Sequence, residues 1–235
     1  GHTCALKTDG TEVCWGWSVY GQATVPEGLA SVAQVSAGGF RSCALKTDAT
    51  VACWGGGGSE YDVPIELASV AQVSAGYFHT CALKAAGTVV CWGFRPSYGE
   101  TSVPDGLASV AQVGAGGFHS CALRIAGTVI CWGYNGDGET NVPDGLTSVT
   151  QISTGVYHTC ALKTDGTVTC WGGNGAGQSA VPAGLTLGTQ DATPPVVTHA
   201  ISGTPSPSGW YTSDVSVTFT ATDPESSVTT TGCGT

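Results

Sequence analysis

Ten of the eleven cysteines fall into five pairs, each a cysteine, nine residues, then Cys-Trp-Gly: Cys4/Cys14, Cys43/Cys53, Cys81/Cys91, Cys121/Cys131 and Cys160/Cys170. Thiols at a fixed spacing can oxidise to disulfides, hold a soft metal, or pack as small apolar groups. Zinc sites ordinarily bring two ligands together through a knuckle of about two to four residues, and a nine-residue gap lacks that geometry. A core of unoxidised thiols gives no reason for cysteines to arrive as facing pairs. Disulfides are the preferred reading over zinc and buried thiols, and they imply an oxidising compartment: secreted, periplasmic or at a cell surface.

Histidine is the next reactive type to repeat. His2, His79, His119 and His158 each stand two residues before the first cysteine of a pair, and Arg41 takes that place in the second unit. No serine, aspartate or other carboxylate recurs as a partner, so a catalytic triad has no support and no catalytic residue is assigned. One identical histidine per unit is better explained by structure, with the ring over the glycine of Cys-Trp-Gly and bonded to backbone. Asn135-Gly136-Asp137-Gly138-Glu139 has the residue types of a calcium loop without its twelve-residue spacing, and is read as a turn. We expect no metal, no cofactor and no enzyme activity.

These residues are positioned by a repeat. The first cysteines of successive pairs lie 39, 38, 40 and 39 residues apart, a period typical of blades or solenoid units. In the third unit, Ser69–Ala75 is a short strand ended by Gly76, and His79–Lys84 is a second. Ala85-Ala86-Gly87 makes a tight turn with glycine at its left-handed position, and Thr88–Gly93 is a third strand. Pairing Lys84 with Thr88 sets Leu83 opposite Val89, Ala82 opposite Val90, and Cys81 opposite Cys91. Directly opposed antiparallel residues share a face with Cβ atoms about 4.5–5.5 Å apart, close to what a disulfide needs. A three-stranded unit buries little alone and must stack on its neighbours. The expected architecture is all-β: a β-propeller of about five visible three-stranded blades, in a ring that is incomplete or open, with a linear solenoid as the alternative. Ala33, Ala37, Ala71, Ala75, Ala111 and Ala115 are small enough for close approach of blade to blade, and Trp15, Trp54, Trp92, Trp132 and Trp171 are expected in the core.

Composition narrows function. Seven basic residues against 17 acidic ones give a net charge of −10, with no Lys/Arg cluster to neutralise phosphates. Nucleic acid is therefore excluded as a partner, and anionic lipid is disfavoured. No apolar stretch is long enough to span a bilayer, so membrane insertion is not expected. The chain has no methionine and starts partway through a unit, which leads us to expect a fragment or a processed product.

The most regular unit runs Gly155-Val156-Tyr157-His158-Thr159-Cys160-Ala161-Leu162-Lys163-Thr164-Asp165-Gly166-Thr167-Val168, then Trp171-Gly172-Gly173-Asn174-Gly175-Ala176-Gly177-Gln178. This pattern resembles the regulator of chromosome condensation repeat over about residues 1–188. The resemblance implies a β-propeller. The short period and the Val-Pro-x-Gly-Leu joint are most similar to a compact bacterial branch, which includes a secreted β-lactamase inhibitor propeller. Longer eukaryotic relatives serve as nucleotide-exchange factors on chromatin; this acidic chain has no insertion like their catalytic wedge, so exchange is not carried over. The second unit departs from the pattern at Arg41 and at Ala49, which replaces the turn glycine. Family rings commonly close with more blades than are visible here. Thr186 to Gln190 falls where another first strand would begin, and is a candidate to complete blade one.

Topology sorts the loops. The connections between first and second strands share one face with the loops after Trp-Gly, and the Thr-Asp-Gly turns lie on the other. The first face collects Phe40, Tyr77, Phe78, Phe118 and Tyr157, joined by the non-repeating Trp17, Tyr20, Phe94, Arg95, Tyr98 and Tyr134. Aromatics in variable loops on a rigid frame bury large area at low entropy cost and suggest a recognition surface for a protein or a glycan. For Phe40, Phe78, Phe118 and Tyr157 the alternative is a structural plug between blades. The leading function is a non-catalytic binding module of a bacterial secreted or surface protein. Its alternatives are a spacer without its own ligand, or part of a larger secreted enzyme.

Periodicity stops near residue 189. Residues 189–195 read as a linker and 196–235 as a truncated immunoglobulin-like domain, a partial β-sandwich, with strands at Val196–Ser202 and Asp214–Thr220 and a turn at Thr222–Glu225. Gly209–Val215 and Thr222–Ser226 are similar to stretches of bacterial domains of that type. Cys233 is the odd cysteine, with its partner expected outside this sequence.

Overall fold

The computed structural model describes residues 1–58, 62–93 and 97–187 with their side chains, and the backbone of three strands at 196–202, 216–222 and 230–234. All the strands described are antiparallel. No helix among the described residues is long and apolar enough to cross a membrane. The chain divides into two compact units, 1–187 and 188–235.

In the first unit, blade one has two strands, β1 (His2–Leu6) and β2 (Glu12–Gly16). Four three-stranded blades follow: β3 (Val32–Ala37), β4 (Arg41–Lys46) and β5 (Val51–Gly55); β6 (Val70–Ala75), β7 (His79–Lys84) and β8 (Val89–Gly93); β9 (Val110–Ala115), β10 (His119–Arg124) and β11 (Val129–Gly133); β12 (Val149–Thr154), β13 (His158–Lys163) and β14 (Val168–Gly172). The hairpin register is the one expected: Cys81 pairs with Cys91, Leu83 with Val89 and His79 with Gly93.

All five expected disulfides form, each within its own hairpin: Cys4–Cys14, Cys43–Cys53, Cys81–Cys91, Cys121–Cys131 and Cys160–Cys170, with Cα separations of 4.0–4.1 Å. The two halves of a staple are not equally sheltered. Cys43, Cys81 and Cys121 stand on the middle strands of their blades and are completely buried. Their partners Cys53, Cys91 and Cys131 stand on the outer strands and are only partly buried, packed against the edges of the joints between blades.

The first strands β3, β6, β9 and β12 lie side by side at the inner edge of the array. Each is clipped to the next by a glutamine amide. Gln34 donates through Nε2 to the Val73 carbonyl (3.1 Å) and accepts from the Val73 N–H (3.0 Å). Gln72 treats Val113 the same way, and Gln112 treats Ile152 so at 2.8 and 2.7 Å. The side chain thus mimics a strand neighbour and satisfies backbone groups that face the joint. Close approach comes from glycine rather than alanine: a Cβ on Gly38 would lie 2.2 Å from the Gly76 carbonyl oxygen, and one on Gly76 would lie 2.3 Å from that of Gly116. Ala75 and Ala115 are buried, but Ala33, Ala37, Ala71 and Ala111 face solvent, which corrects the expectation for those four.

The core is a series of joints between blades. Cys81, Leu83 and Val89 of one blade pack with Val110, Val113 and Trp132 of the next, and the same set recurs at the neighbouring joints. Each tryptophan thus closes the joint to the preceding blade. Trp54, Trp92, Trp132 and Trp171 are 7–9% exposed, whereas Trp15 is 53% exposed. Trp15 is therefore not a core residue in this structure, since no blade described here lies against it. Trp92→Ala is expected to cost about 3–5 kcal/mol, and Trp15→Ala less than about 1 kcal/mol, in urea unfolding. Equal losses would contradict packing of each tryptophan on the preceding blade.

Ala49 occupies the turn position where the other units place glycine, and it keeps the left-handed conformation with φ of 63°. A Cβ in that region costs about 1–2 kcal/mol relative to the right-handed helix, partly offset when glycine gains backbone freedom in the unfolded chain. Ala49→Gly is expected to stabilise the protein by up to about 1 kcal/mol, read from the urea midpoint. A lower midpoint would show that the turn tolerates the side chain without strain.

Thr186 bridges Thr167, and the Leu187 N–H donates to the Gly166 carbonyl at 2.8 Å. Val32, Val70, Val110 and Val149 make the matching bond to the turn of the preceding blade. Residues 186–187 therefore sit on blade five as the start of a further first strand; residues 188–190 lie outside the described residues.

The second unit is a three-stranded antiparallel sheet of β15 (Val196–Ser202), β16 (Ser216–Thr222) and β17 (Thr230–Gly234), in that order. β15 has the expected bounds and β16 begins two residues later than expected. Residues 189–195, 209–215 and 223–226, and the side chain of Cys233, lie outside the described residues.

Candidate functional site

Antiparallel pairing puts the loops between first and second strands at one end of every blade and the hairpin turns at the other. At the loop end the aromatic rings form one continuous series. Phe40, Phe78, Phe118 and Tyr157 run from blade to blade with centroid steps of 5.3, 5.1 and 6.1 Å. Trp17 and Tyr20 meet each other at 5.6 Å and reach Phe40 at 5.7 and 5.5 Å. Tyr77 bridges Phe40 and Phe78 at 4.9 and 4.7 Å. Tyr98 and Tyr134 contact each other at 4.8 Å and flank Phe118. Most of these pairs are edge-to-face, the arrangement favoured by ring quadrupoles.

Local sequence sets this series. The residue before each ring alternates Gly39, Tyr77, Gly117, Val156, and a Cβ on Gly39 would lie 2.5 Å from the Tyr77 ring. A bulky residue on one blade thus lies over a glycine on the preceding one. Phe40, Phe78, Phe118 and Tyr134 are half-buried, while Trp17, Tyr20, Tyr77, Tyr98 and Tyr157 are 38–53% exposed. The two sets proposed from sequence therefore meet in one surface. Phe94 and Arg95 lie outside the described residues.

Below the rings, the histidines bond side chains rather than backbone. Nε2 of His79 lies 2.8 Å from Ser120 Oγ of the next blade, and that hydroxyl donates to the Glu100 carbonyl at 2.9 Å. Its proton is thereby committed, so the imidazole donates through Nε2. His119 meets Thr159 Oγ1 at 2.8 Å, and His2 meets Ser42 Oγ at 2.7 Å. His79 and His119 are buried, and their Nδ1 atoms find no partner among the described residues. Burial comes first in lowering both: His79 to about 3, helped by the nearby Arg41 charge, and His119 to about 4. They are neutral structural links. Arg41 occupies the same layer, fully buried, and its Nη2 reaches the Trp92 carbonyl at 3.4 Å.

A layer missed in the sequence lies in the loops after Trp-Gly. Gln22, Glu100 and Glu139 are almost completely buried, and each accepts the N–H two residues earlier: Tyr20 at 2.9 Å, Tyr98 at 3.0 Å and Asp137 at 2.9 Å. Their carbonyls hold the adjacent blade: Trp132 and Trp171 donate through Nε1 to Glu100 and Glu139 at 3.0 and 2.9 Å. The signal for them was the glycine that precedes each one, in Gly21-Gln22, Gly99-Glu100 and Gly138-Glu139. Residues 135–141 form a closed turn, with Asn135 Oδ1 accepting from Thr140 N–H and Asn135 Nδ2 donating to Asn141, in line with the turn reading of this loop.

A disulfide-stapled array of blades with a ring-lined loop end defines a propeller-type repeat protein. Residues 32–60, 70–100, 110–139 and 149–178, about half of the sequence, match the family model of the regulator of chromosome condensation (RCC1) repeat, and the chain belongs to that family. No curated protein sequence matches it. Among solved structures, the entire ectodomain of the receptor kinase CR4 from Physcomitrella patens is 32% identical, with a TM-score of 0.64 over 73% of this chain and 50% of that one. The CRINKLY WD40 ectodomain of ACR4 from Arabidopsis thaliana is 28% identical, with a TM-score of 0.59 over 73% of this chain and 65% of that one. The chain thus spans between half and just under two thirds of these two ectodomains. Prp20p from Saccharomyces cerevisiae, at 17% identity and a TM-score of 0.64, shares the fold.

Proposed function

We propose that this chain is a non-catalytic extracellular binding module of a bacterial secreted or surface protein, and that it recognises a protein or glycan through its aromatic loop end. One observation carries this reading: rings from the repeating and the variable loops join in a single series, with five of them substantially exposed. A spacer gains nothing from exposed Trp17, Tyr20 and Tyr98. Five disulfides fit an oxidising compartment, and the receptor-kinase ectodomains are extracellular by name. The repeating rings Phe40, Phe78 and Phe118 serve both purposes, since their buried sides brace neighbouring blades. The sheet of residues 196–234 is read as the opening of an immunoglobulin-like domain, which fits a modular surface protein.

The test is capture from a protein mixture and on a glycan array, with the wild-type chain and a Trp17→Ala/Tyr98→Ala/Tyr134→Ala variant. These three side chains lie in loops outside the joints between blades, so the variant is expected to fold. Loss of captured ligand by at least about tenfold is expected, since truncating central aromatic anchors costs about 2 kcal/mol or more. Unchanged capture would leave the spacer reading.

A further inference from the structure

Between the inner strands and the ring series lies a cavity of about 250 Å³, lined by Gly38, Gly39, Gly76, Tyr77, Gly116 and Gly117 together with residues 37, 75, 115 and 154–156. Most of its backbone donors are already used. The N–H groups of Gly38, Gly76, Gly116 and Gly155 are donated within their own blades, to the carbonyls of Arg41, His79, His119 and His158. Those of Gly39, Tyr77 and Gly117 are donated to the next blade, to the carbonyls of Gly76, Gly116 and Val156, each at 3.0 Å. Among the lining residues the carbonyls of Gly76, Gly116 and Val156 each accept one N–H and keep a second lone pair, while these seven donors are committed. An anion would find no N–H among them. A group with several donors and no acceptor would be matched.

Apart from the buried Arg41, the cations of the described residues stand at the opposite end. Of the seven basic residues, Lys7, Lys46, Lys84, Arg124 and Lys163 stand at the turn end of the blades, away from the rings. Lys46 and Lys163 are engaged there with Asp48 and Asp165 at 2.9 and 3.1 Å. Arg41 is buried, and Arg95 lies outside the described residues. At the loop end Asp137 is exposed beside Tyr134, whose phenol is held above its ordinary value first by desolvation and then by Asp137 and Glu139. The partly exposed rings of Tyr77, Tyr98 and Tyr157 are the kind of side chain against which a guanidinium or ammonium group settles.

We infer that the glycine-lined cavity and the tyrosines beside it form a site for an arginine- or lysine-bearing segment of a protein partner, with the cationic head at the carbonyls and its stem across Tyr77. This rests on the reading of the aromatic end as a recognition surface and specifies its partner.

The probes are short peptides of alternating glycine and arginine, with lysine, glutamine and glutamate counterparts, and neutral chitin oligosaccharides, all measured by calorimetry against the intact chain. The arginine and lysine peptides are expected to bind about tenfold or more tightly than the glutamine and glutamate peptides, and to weaken as salt rises. Tyr77→Ala is expected to weaken arginine-peptide binding about fivefold or more, Tyr77→Phe to retain it, and Asp137→Asn to weaken it by a smaller factor. Equal binding of the glutamine peptide, or no binding of the arginine peptide at millimolar concentration, would overturn the inference. Tight binding of the neutral oligosaccharide that is lost in Tyr98→Ala would overturn the cationic partner while sparing the aromatic surface. Arginine-peptide binding that survives both Tyr77→Ala and the Trp17/Tyr98/Tyr134 variant would overturn both.

Discussion

Reduction of the five disulfides is expected to unfold the blade array under conditions where the oxidised chain is folded. Each bond closes a hairpin of sequence separation 10. Chain-entropy reasoning assigns about 3 kcal/mol to a loop of that length. Five such bonds together match or exceed the net stability of an ordinary domain, about 5–15 kcal/mol. The blades have little else within themselves to hold them, since the apolar core lies between blades rather than inside them. The loss should be graded. In the middle pairs Cys43–Cys53, Cys81–Cys91 and Cys121–Cys131, the first sulfur is completely buried by neighbouring blades and the second is partly covered. Both cysteines of the terminal hairpins, Cys4–Cys14 and Cys160–Cys170, are partly exposed. Alkylation trapping with mass mapping during a reductant titration should find the terminal pairs opening first and the β-sheet circular dichroism collapsing as the middle pairs follow. Full reduction with an unchanged spectrum would mean that packing alone sustains the blades.

Acid is expected to destabilise the array before most carboxylates titrate. His79 and His119 are held neutral in the folded chain, at about 3 and about 4, by burial between blades. In the unfolded chain they protonate near 6.5. Because the folded values are depressed, the unfolded state takes up protons first as pH falls. Stability is therefore complete above about pH 6.5 and declines below it, until the folded values are reached. The slope is about 1.4 kcal/mol per pH unit for each histidine, so several kcal/mol are lost between pH 6.5 and 4. Asp48 and Asp165, both lowered to about 2 chiefly by the hydroxyls of Thr50 and Thr167, add their own loss only at lower pH. Urea unfolding at half-unit pH steps measures the slope, and imidazole NMR measures the cause. Assigned resonances of His79 and His119 that titrate near 6.5 in the folded protein would contradict it.

The hairpin could be read from the sequence because its information is local. Nine residues between cysteines, with a turn at the middle, leave one register in which the thiols face each other. The structure has that register in every blade, from Cys43 opposite Cys53 to Cys121 opposite Cys131 and Cys160 opposite Cys170. What escaped is information held between repeats. His79 looked for a partner in its own unit, yet the hydroxyl it bonds lies 41 residues on. A hydroxyl follows His or Arg in every unit (Thr3, Ser42, Thr80, Ser120 and Thr159), which in retrospect marks the receiving side of each joint. Glu100 and Glu139 look like ordinary loop surface, since glutamate is rarely buried without a partner; the backbone N–H groups that hold them are invisible in sequence. Trp15 shows the converse: its local sequence matches that of four buried tryptophans, but burial belongs to the neighbour rather than to the residue.

The aromatic end was legible as a face and not as a surface. Alternation of strands assigned Phe40, Tyr98 and Tyr134 to one side, but only distances join them to Trp17, Tyr20 and Phe118 in a single series. That series, carried on a frame of stapled blades, is the centre of this account. The most direct test is covalent footprinting of the intact chain with and without its captured ligand. Tyr20, Tyr77, Tyr98 and Tyr157 are predicted to lose reactivity on binding, while Lys7, Lys46, Lys84 and Lys163 at the turn end keep theirs. Protection of those lysines, with the four tyrosines as reactive as before, would place recognition on the opposite end and contradict the account.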